Sequence, residues 1–337
     1  MVTIQELSKQ CGVSISTVSK ALNGYSDISD KTRELVINTA NAMGYTPNAG
    51  ARALKLKKTY SIGVLLNSCP TAGFRNEYYA HVMAAFKEEA AYHGYDITFI
   101  EKYIGRRKMT YLEHCQYRHF DGVCIIRADA DNDEVIKLIN SELPIVTIDS
   151  HFPKANSVVS DDLNGMKQLT NYVISQGHDR IAYISGKKDI LATQYRLKGF
   201  WTALEENGIK VPQEYVVEGK YRNTILAEEL TNKLLLLEQR PTCILAPDDY
   251  SCMGVLTGIR KLGLIPARDI SIAGYDGSDH NLLIGAKLTT VKQEKDHIGK
   301  EAAKKLIQII ENGNTVACDS LFVKPTLIIG NSVKRRT

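Results

Sequence analysis

Two hydrophobic patterns divide the chain: apolar residues at helical spacing in the first forty-odd positions, then short apolar runs alternating with amphipathic stretches. Thr3 and Glu6 form a T-x-x-E capping box, after which Ile4, Leu7 and Cys11 share one helical face that stops at Gly12. Ser14 opens a second helix that Asn23-Gly24 ends. At about 100° per residue its Val18, Ala21 and Leu22 fall in one arc, with Ser16 and Lys20 opposite. Such a helix is shorter than the ~12–15 residues at which isolated helices become marginal, so packing must hold it. Ser29 and Asp30 open a third helix whose expected stripe is Leu35, Val36, Ala40 and Met43 and whose stop is Gly44. Three short helices with a tight Gly-Val-Ser turn between the first two predict an all-α helix-turn-helix module over residues 1–46.

From Ser61 the pattern predicts strands at 62–66, 97–100, 122–126 and 145–148, with a helix near 77–93. It restarts after Val158-Val159-Ser160 with a helix at about 162–176 and strands near 181–184, 215–218, 243–246 and 270–274. A last helix at about 296–310, with Ile298, Ala302, Ala303, Leu306 and Ile310 inward, is expected to cross back to the first lobe. Residues 61–337 therefore read as an α/β core of two doubly wound lobes: about 61–160 with 293–320, and about 161–292 with 321–337. Open parallel sheets bind ligands beyond the carboxyl ends of their strands, and two facing lobes enclose a cleft there. The residues at those ends are Asn67, Arg127, Asp149, Gly186, Tyr221, Asp248 with Asp249, and Asp276. Any one of them also suits a cap or turn.

Length and composition fit this division: 337 residues, 44% hydrophobic, are enough for two globular domains. The net charge of +4 gains meaning when split by position. Residues 1–60 hold Lys9, Lys20, Lys31, Arg33, Arg52, Lys55, Lys57 and Lys58 against Glu6, Asp27, Asp30 and Glu34, and the remainder is balanced. The excess charge sits on the small module, as expected of a part that meets a polyanion.

The polar face of the second helix carries the matching chemistry. Ser16 and Lys20, one turn apart, allow close approach to base edges and donation to guanine O6 and N7. Thr17 and Ser19 flank that face and reach towards phosphates. Ile15 lies at its margin, either as core or as a methyl surface for thymine. In 47–60, Pro47 suits a first helical turn, Gly50 weakens a helix by about 1 kcal/mol relative to alanine, and the alanines bury little. The segment is either a flexible linker or a hinge helix whose Leu54, beside Arg52 and Lys55, is an apolar wedge for the minor groove.

Several classes drop out. No run approaches the ~18 apolar residues of a membrane helix, and the N-terminus lacks an apolar signal core, so a cytoplasmic protein is expected. The cysteines Cys11, Cys69, Cys115, Cys124, Cys243, Cys252 and Cys318 never fall in C-x-x-C, and the histidines form no ligand-spaced group; His114 and His119 read as surface residues. No metal and no cofactor are expected, and no P-loop, dinucleotide, nucleophile-elbow or H-E-x-x-H motif is present. An α/β enzyme and a free solute-binding protein remain the alternatives to a regulator.

The segments VTIQELSKQCGVSISTVSKALNG and DISDKTRELVINTANAMGYTPNAGARALKLKKTYSIGVLLN resemble the N-terminal signature of the lactose-repressor (LacI/GalR) family of bacterial transcription regulators. The likeness continues through ISQGHDRIAYISG, QYRLKGFWTALEENGI, LAPDDYSCMG and ISIAGYDGSD, so it covers essentially the whole chain. It implies a periplasmic-binding-protein-like core. It also implies that Ile15, Ser16 and Lys20 occupy recognition positions, with Asn48, Arg52, Leu54 and Lys55 in a hinge helix on operator DNA. In the core it implies that Arg196 matches the effector-contacting arginine and Asp276 the acidic ligand contact, with Tyr221, Asp149 and Asp248 at cleft positions. Lys20 stands where arginine or histidine is common, and Asp248 where asparagine is often found. The expectation is a homodimer that reads double-stranded operator DNA under control of a small molecule. Only seven residues follow Gly330, too few for a tetramerising coiled coil. One or two arginines among three carboxylates favour a neutral carbohydrate or nucleoside over a sugar phosphate.

Overall fold

The computed structural model describes residues 2–46, 53, 58–66, 76–127, 131–278, 287–313 and 318–336. Asn48, Arg52, Leu54 and Lys55 of the expected hinge and Asn67 of the expected cleft lie outside the described residues. The chain divides into two compact units, Met1–Tyr60 and Ser61–Thr337.

In the first unit, α1 (Ile4–Cys11), α2 (Ile15–Leu22) and α3 (Asp30–Met43) each begin at a side-chain cap. The Thr3 hydroxyl accepts from Glu6 N while the Glu6 carboxylate accepts from Thr3 N at 2.8 Å; Ser14 and Ser29 accept from Thr17 N and Thr32 N. Gly12 and Gly44, at φ 64° and 63°, end α1 and α3 in the left-handed region, where a Cβ would be penalised. The core is Leu7, Cys11, Val18, Ala21, Val36 and Ala40, with Met43 packed against it. Leu35 departs from the expected stripe: it is 48% exposed, because Val36 and Ala40 form the inward face of α3.

The second unit holds two six-stranded sheets. The first contains β1 (Ser61–Leu66), β2 (Asp96–Phe99), β5 (Gly122–Ile126), β6 (Ile145–Ile148), β7 (Asn156–Ser160) and β13 (Ser320–Val323), all parallel, in the order β13-β7-β6-β5-β1-β2. The second contains β8 (Ile181–Ser185), β9 (Val216–Glu218), β10 (Cys243–Leu245), β11 (Ser271–Asp276), β12 (Thr289–Lys292) and β14 (Thr326–Ile328), in the order β14-β12-β11-β10-β8-β9, with β14 antiparallel. A hairpin, β3 (Tyr103–Ile104) with β4 (Arg107–Lys108), follows β2. Central strands such as β5, β6 and β8 are buried throughout, which is why they read as continuous apolar runs.

Helices cover the sheets: α4 (Glu77–Tyr92), α5 (Tyr111–Arg118), α6 (Asp133–Ile139) and α11 (Lys295–Asn312) on the first, and α7 (Asp162–Ser175), α8 (Leu191–Glu206), α9 (Thr224–Leu235) and α10 (Cys252–Lys261) on the second. The chain crosses between lobes three times: between β7 and α7, between β12 and α11, and between β13 and β14. The last crossing falls after Val323 rather than near residue 320, because β13 keeps its register with β7 through Val323↔Ser160. His114 also departs from expectation. It is buried, its Nδ1 against the Glu101 carbonyl at 2.9 Å.

Candidate recognition helix and interlobe cleft

α2 buries Val18 and Ala21 and leaves the opposite face open. Ile15 is 44% exposed, which places it outside the core, and Ser16 is exposed beside it. Thr17 and Ser19 are half-buried; the Thr17 hydroxyl lies 2.8 Å from that of Ser14. Lys20 bonds through its ammonium to the Asp27 carboxylate in the loop after α2. That loop is braced from α3, where Arg33 donates to the Tyr25 carbonyl at 2.9 Å and to Asp30 at 3.1 Å. The helix thus presents a small, mostly polar surface with one cation at its last turn.

In the second unit, charged and aromatic side chains from both lobes converge at the carboxyl ends of the strands. Arg127, Asp149, Arg196, Tyr221 and Asp276, all expected there, line one cleft. Asn76, Tyr78, Tyr79, Asp162, Arg222 and Gln293 also line it and were not singled out from the sequence. Tyr78 and Tyr79 open α4, the helix after β1, and Asp162 opens α7 just past the first crossing; strand-to-helix turns were therefore the available signal. The space between these side chains is about 80 Å³, smaller than the ~300 Å³ at which ligand clefts begin.

Arg196 is the hub. It is buried, and its Nε donates to Asp162 Oδ1 at 2.8 Å while Nη1 donates to the Pro247 carbonyl at 3.1 Å. Nη2 stands 3.7 Å from Asp276 Oδ1, and the guanidinium lies 3.6 Å from the Tyr275 ring centre. Tyr221 is 5.5 Å from the same guanidinium, its hydroxyl 2.8 Å from that of Thr193. Asp149 accepts from the Tyr78 hydroxyl at 3.0 Å, and Asp276 from Gln293 Nε2 at 2.7 Å. Asp248 differs from its expected role. Its two oxygens accept from Arg222 N and Ser251 N, each at 2.7 Å, and from the Ser251 hydroxyl at 3.0 Å, so it braces loops behind the cleft. Its neighbour Asp249 likewise holds Ser278 N and Thr290.

Four of the lining residues share an unusual backbone. Arg127, Asp149, Arg222 and Asp276 have φ of 52°, 56°, 55° and 103°. The left-handed region is costly for side chains of this size, and such strain persists where surrounding bonds impose it. Here Arg127 N donates to the Ile148 carbonyl, Asp149 N to that of Val158, and Arg222 N to Asp248. Burial pushes the Asp149 carboxyl up to about 7, aided by Asp162 and opposed by Tyr78, Arg196 and Arg127. Burial likewise raises Asp276 to about 7, against the pull of Arg196 and Lys295. These two carboxyls can therefore donate as well as accept near neutral pH, an arrangement suited to hydroxyl groups.

Among the described residues no helix is long and apolar enough to cross a membrane. Two family models match consecutive stretches: that of the bacterial regulatory proteins of the lacI family over residues 3–48, and that of the periplasmic binding proteins and sugar binding domain of the LacI family over residues 59–326. The chain is 30% identical over 340 residues to the HTH-type transcriptional repressor PurR of Pasteurella multocida, covering 100% of both chains. It is 28% identical over 344 residues to the probable HTH-type transcriptional repressor ExuR of Bacillus subtilis, again covering 100% of both. In fold it matches the lac repressor dimer bound to operator and the anti-inducer ONPF with a TM-score of 0.80 at 24% identity, over 99% of each chain. With a capped helix-turn-helix, a two-lobed core with a charged cleft, and both models matched in order, the chain belongs to the LacI family of bacterial regulatory proteins.

Proposed function

We propose that this chain is a sequence-specific DNA-binding transcriptional repressor whose hold on its operator is set by a small carbohydrate bound between the two lobes. The observation that carries the effector half is the convergence of Arg127, Asp149, Arg196, Tyr221 and Asp276 from both lobes on one cleft. The exposed face of α2, with Ile15, Ser16 and Lys20, carries the DNA half. Residues 1–46 read DNA, 47–60 form a hinge in which Asn48, Arg52 and Lys55 meet phosphates and Leu54 enters the minor groove, and 61–337 sense the effector and pair two copies. A homodimer in the cytoplasm then reads a palindromic site. The acid groups of the cleft are tied to Tyr78 and Gln293, which suits holding hydroxyls rather than catalysis. Effector binding shifts the balance between lobe arrangements, and operator affinity changes by the same coupling free energy.

Selection from randomised duplexes, followed by titration of the selected site with and without candidate ligands, tests this directly. The expected result is a two-fold symmetric sequence whose affinity a cleft ligand alters. A chain that enriches no sequence overturns the reading.

A further inference from the structure

On the reading of the cleft as the effector site, its uncommitted charges decide what class of effector it takes. Among the described residues six charged side chains line it: Arg127, Asp149, Asp162, Arg196, Arg222 and Asp276. Asp162 and Arg196 neutralise each other at 2.8 Å, and the remaining reach of Arg196 is towards Asp276. Arg127 and Arg222 form no ion pair with a carboxylate among the described residues. Instead Arg127 lines the cleft beside Tyr79, and the Arg222 guanidinium lies 4.7 Å from the Tyr250 ring centre. Aromatic neighbours orient both guanidinium groups without satisfying their charge. Both residues also hold a left-handed backbone, at 52° and 55°, which side chains of their size rarely adopt.

We propose that the effector is an acidic sugar, a polyhydroxylated body bearing a carboxylate or phosphate, whose anionic group is bound by Arg127 and Arg222 while its hydroxyls meet Asp149 and Asp276. The planar fork of arginine matches such anions through paired N–H donors. The charges legible in the sequence point the other way, towards a neutral ligand, because they include Asp248 and leave out Arg222. The structure commits Asp248 to backbone N–H groups and Arg196 to Asp162. Two carboxyls then face two unpaired arginines, and both carboxyls hold a proton part of the time near pH 7. An anionic group therefore meets two arginines that have no carboxylate partner among the described residues.

Thermal unfolding and calorimetry of the full chain test this with D-glucuronate, D-galacturonate, D-gluconate and D-glucose 6-phosphate, set against D-glucose, D-galactose and adenosine. At least one acidic sugar should raise Tm while its neutral parent does not. Arg127→Gln and Arg222→Gln should each weaken that ligand about tenfold or more, with Arg222→Lys weakening it less. The unliganded Tm of each variant reports whether it folds. A shift with the carboxylates alone assigns a carboxylate, and a shift with the phosphate alone assigns a phosphate. If only the neutral sugars or adenosine stabilise the chain, or if nothing in the panel does, the acidic assignment falls. A stabilising ligand whose affinity ignores Asp149→Asn and both arginine variants overturns the cleft reading itself.

Discussion

Arg196 Nε donates to Asp162 Oδ1 at 2.8 Å with both side chains buried, so the arginine of α8 is bound to the first residue of α7, where the chain enters the second lobe. This pair makes Arg196 a structural cation before it is a ligand contact. Removing one partner strands a buried charge, at a cost of about 3–5 kcal/mol. Arg196→Ala and Asp162→Asn should each lower the urea midpoint accordingly. Arg196→Met combined with Asp162→Leu should recover part of the loss, since apolar replacement of both partners is often tolerated. An Arg196→Ala chain of unchanged stability that loses only its ligand response would restore the arginine to a purely ligand-binding role.

Close helix packing gives a second expectation. A Cβ at Gly299 would lie 2.2 Å from the Val82 carbonyl where α11 crosses α4, and one at Gly254 would lie 2.0 Å from the Thr224 carbonyl where α10 crosses α9. Backbone cannot yield as a side-chain tip can. Gly299→Ala and Gly254→Ala should each cost about 1–3 kcal/mol or more, read from denaturant unfolding. Gly208, at φ 65° with nothing within 4 Å of the added atom, is the control; Gly208→Asn should cost less than about 1 kcal/mol, since asparagine tolerates this region.

These cases show which features are local enough to read from the chain. The caps at Thr3, Ser14 and Ser29 and the stops at Gly12 and Gly44 are legible because both partners lie within a few residues. Central strands are legible because burial on both faces leaves only apolar residues. β12, β13 and β14 are not, for opposite reasons. Thr289 and Thr290 are polar yet buried, satisfied by Gly330 N and by Asp249, whereas Leu321 and Phe322 are apolar yet partly exposed on an edge strand. Asp162 and Asp248 read alike, as aspartates at element ends. Only a partner 34 residues away makes the first a counter-ion, and only the N–H groups of Arg222 and Ser251 make the second a brace.

The cleft carboxyls set an unusual pH dependence. Asp149 and Asp276 hold their protons up to about pH 7 in the folded chain, whereas the ordinary carboxyl value is 3.8. Between those values the folded state binds more protons than the unfolded one. Their stabilising contribution is therefore full below pH 3.8 and is lost as pH rises through about 7, with a slope of at most about 1.4 kcal/mol per pH unit for each. Tyr78, Asp162, Arg196 and Arg127 act on Asp149; Arg196, Asp248, Gln293 and Lys295 act on Asp276. His178 acts in the opposite sense below pH 6.5, because burial lowers its affinity for protons. Tm of the wild type and of Asp149→Asn, compared at each pH from 6.5 to 8, separates the two. The wild type should lose stability more steeply, and parallel curves would remove Asp149 from the account.

On the proposed recognition role of Lys20, Asp27 and DNA compete for the same cation. The Lys20 ammonium at the end of α2 bonds to Asp27, and that bond holds the Asp27 carboxyl below its usual range. Reaching a guanine edge requires Lys20 to leave this partner, so the carboxylate subtracts from operator affinity. Both side chains are substantially exposed, so the pair adds little to folding. Asp27→Asn should therefore tighten operator binding and leave the unfolding midpoint unchanged. Lys20→Ala should cost about 1–3 kcal/mol of operator affinity and relax preference at one base pair in each half-site. Fluorescence anisotropy across a set of single-base operator variants distinguishes the outcomes. Loss confined to one position assigns Lys20 to a base, whereas uniform loss with a salt dependence shallower by about one assigns it to a phosphate. Asp27→Asn should then have no effect in the Lys20→Ala background, because a carboxylate that acts only by holding Lys20 has nothing left to hold.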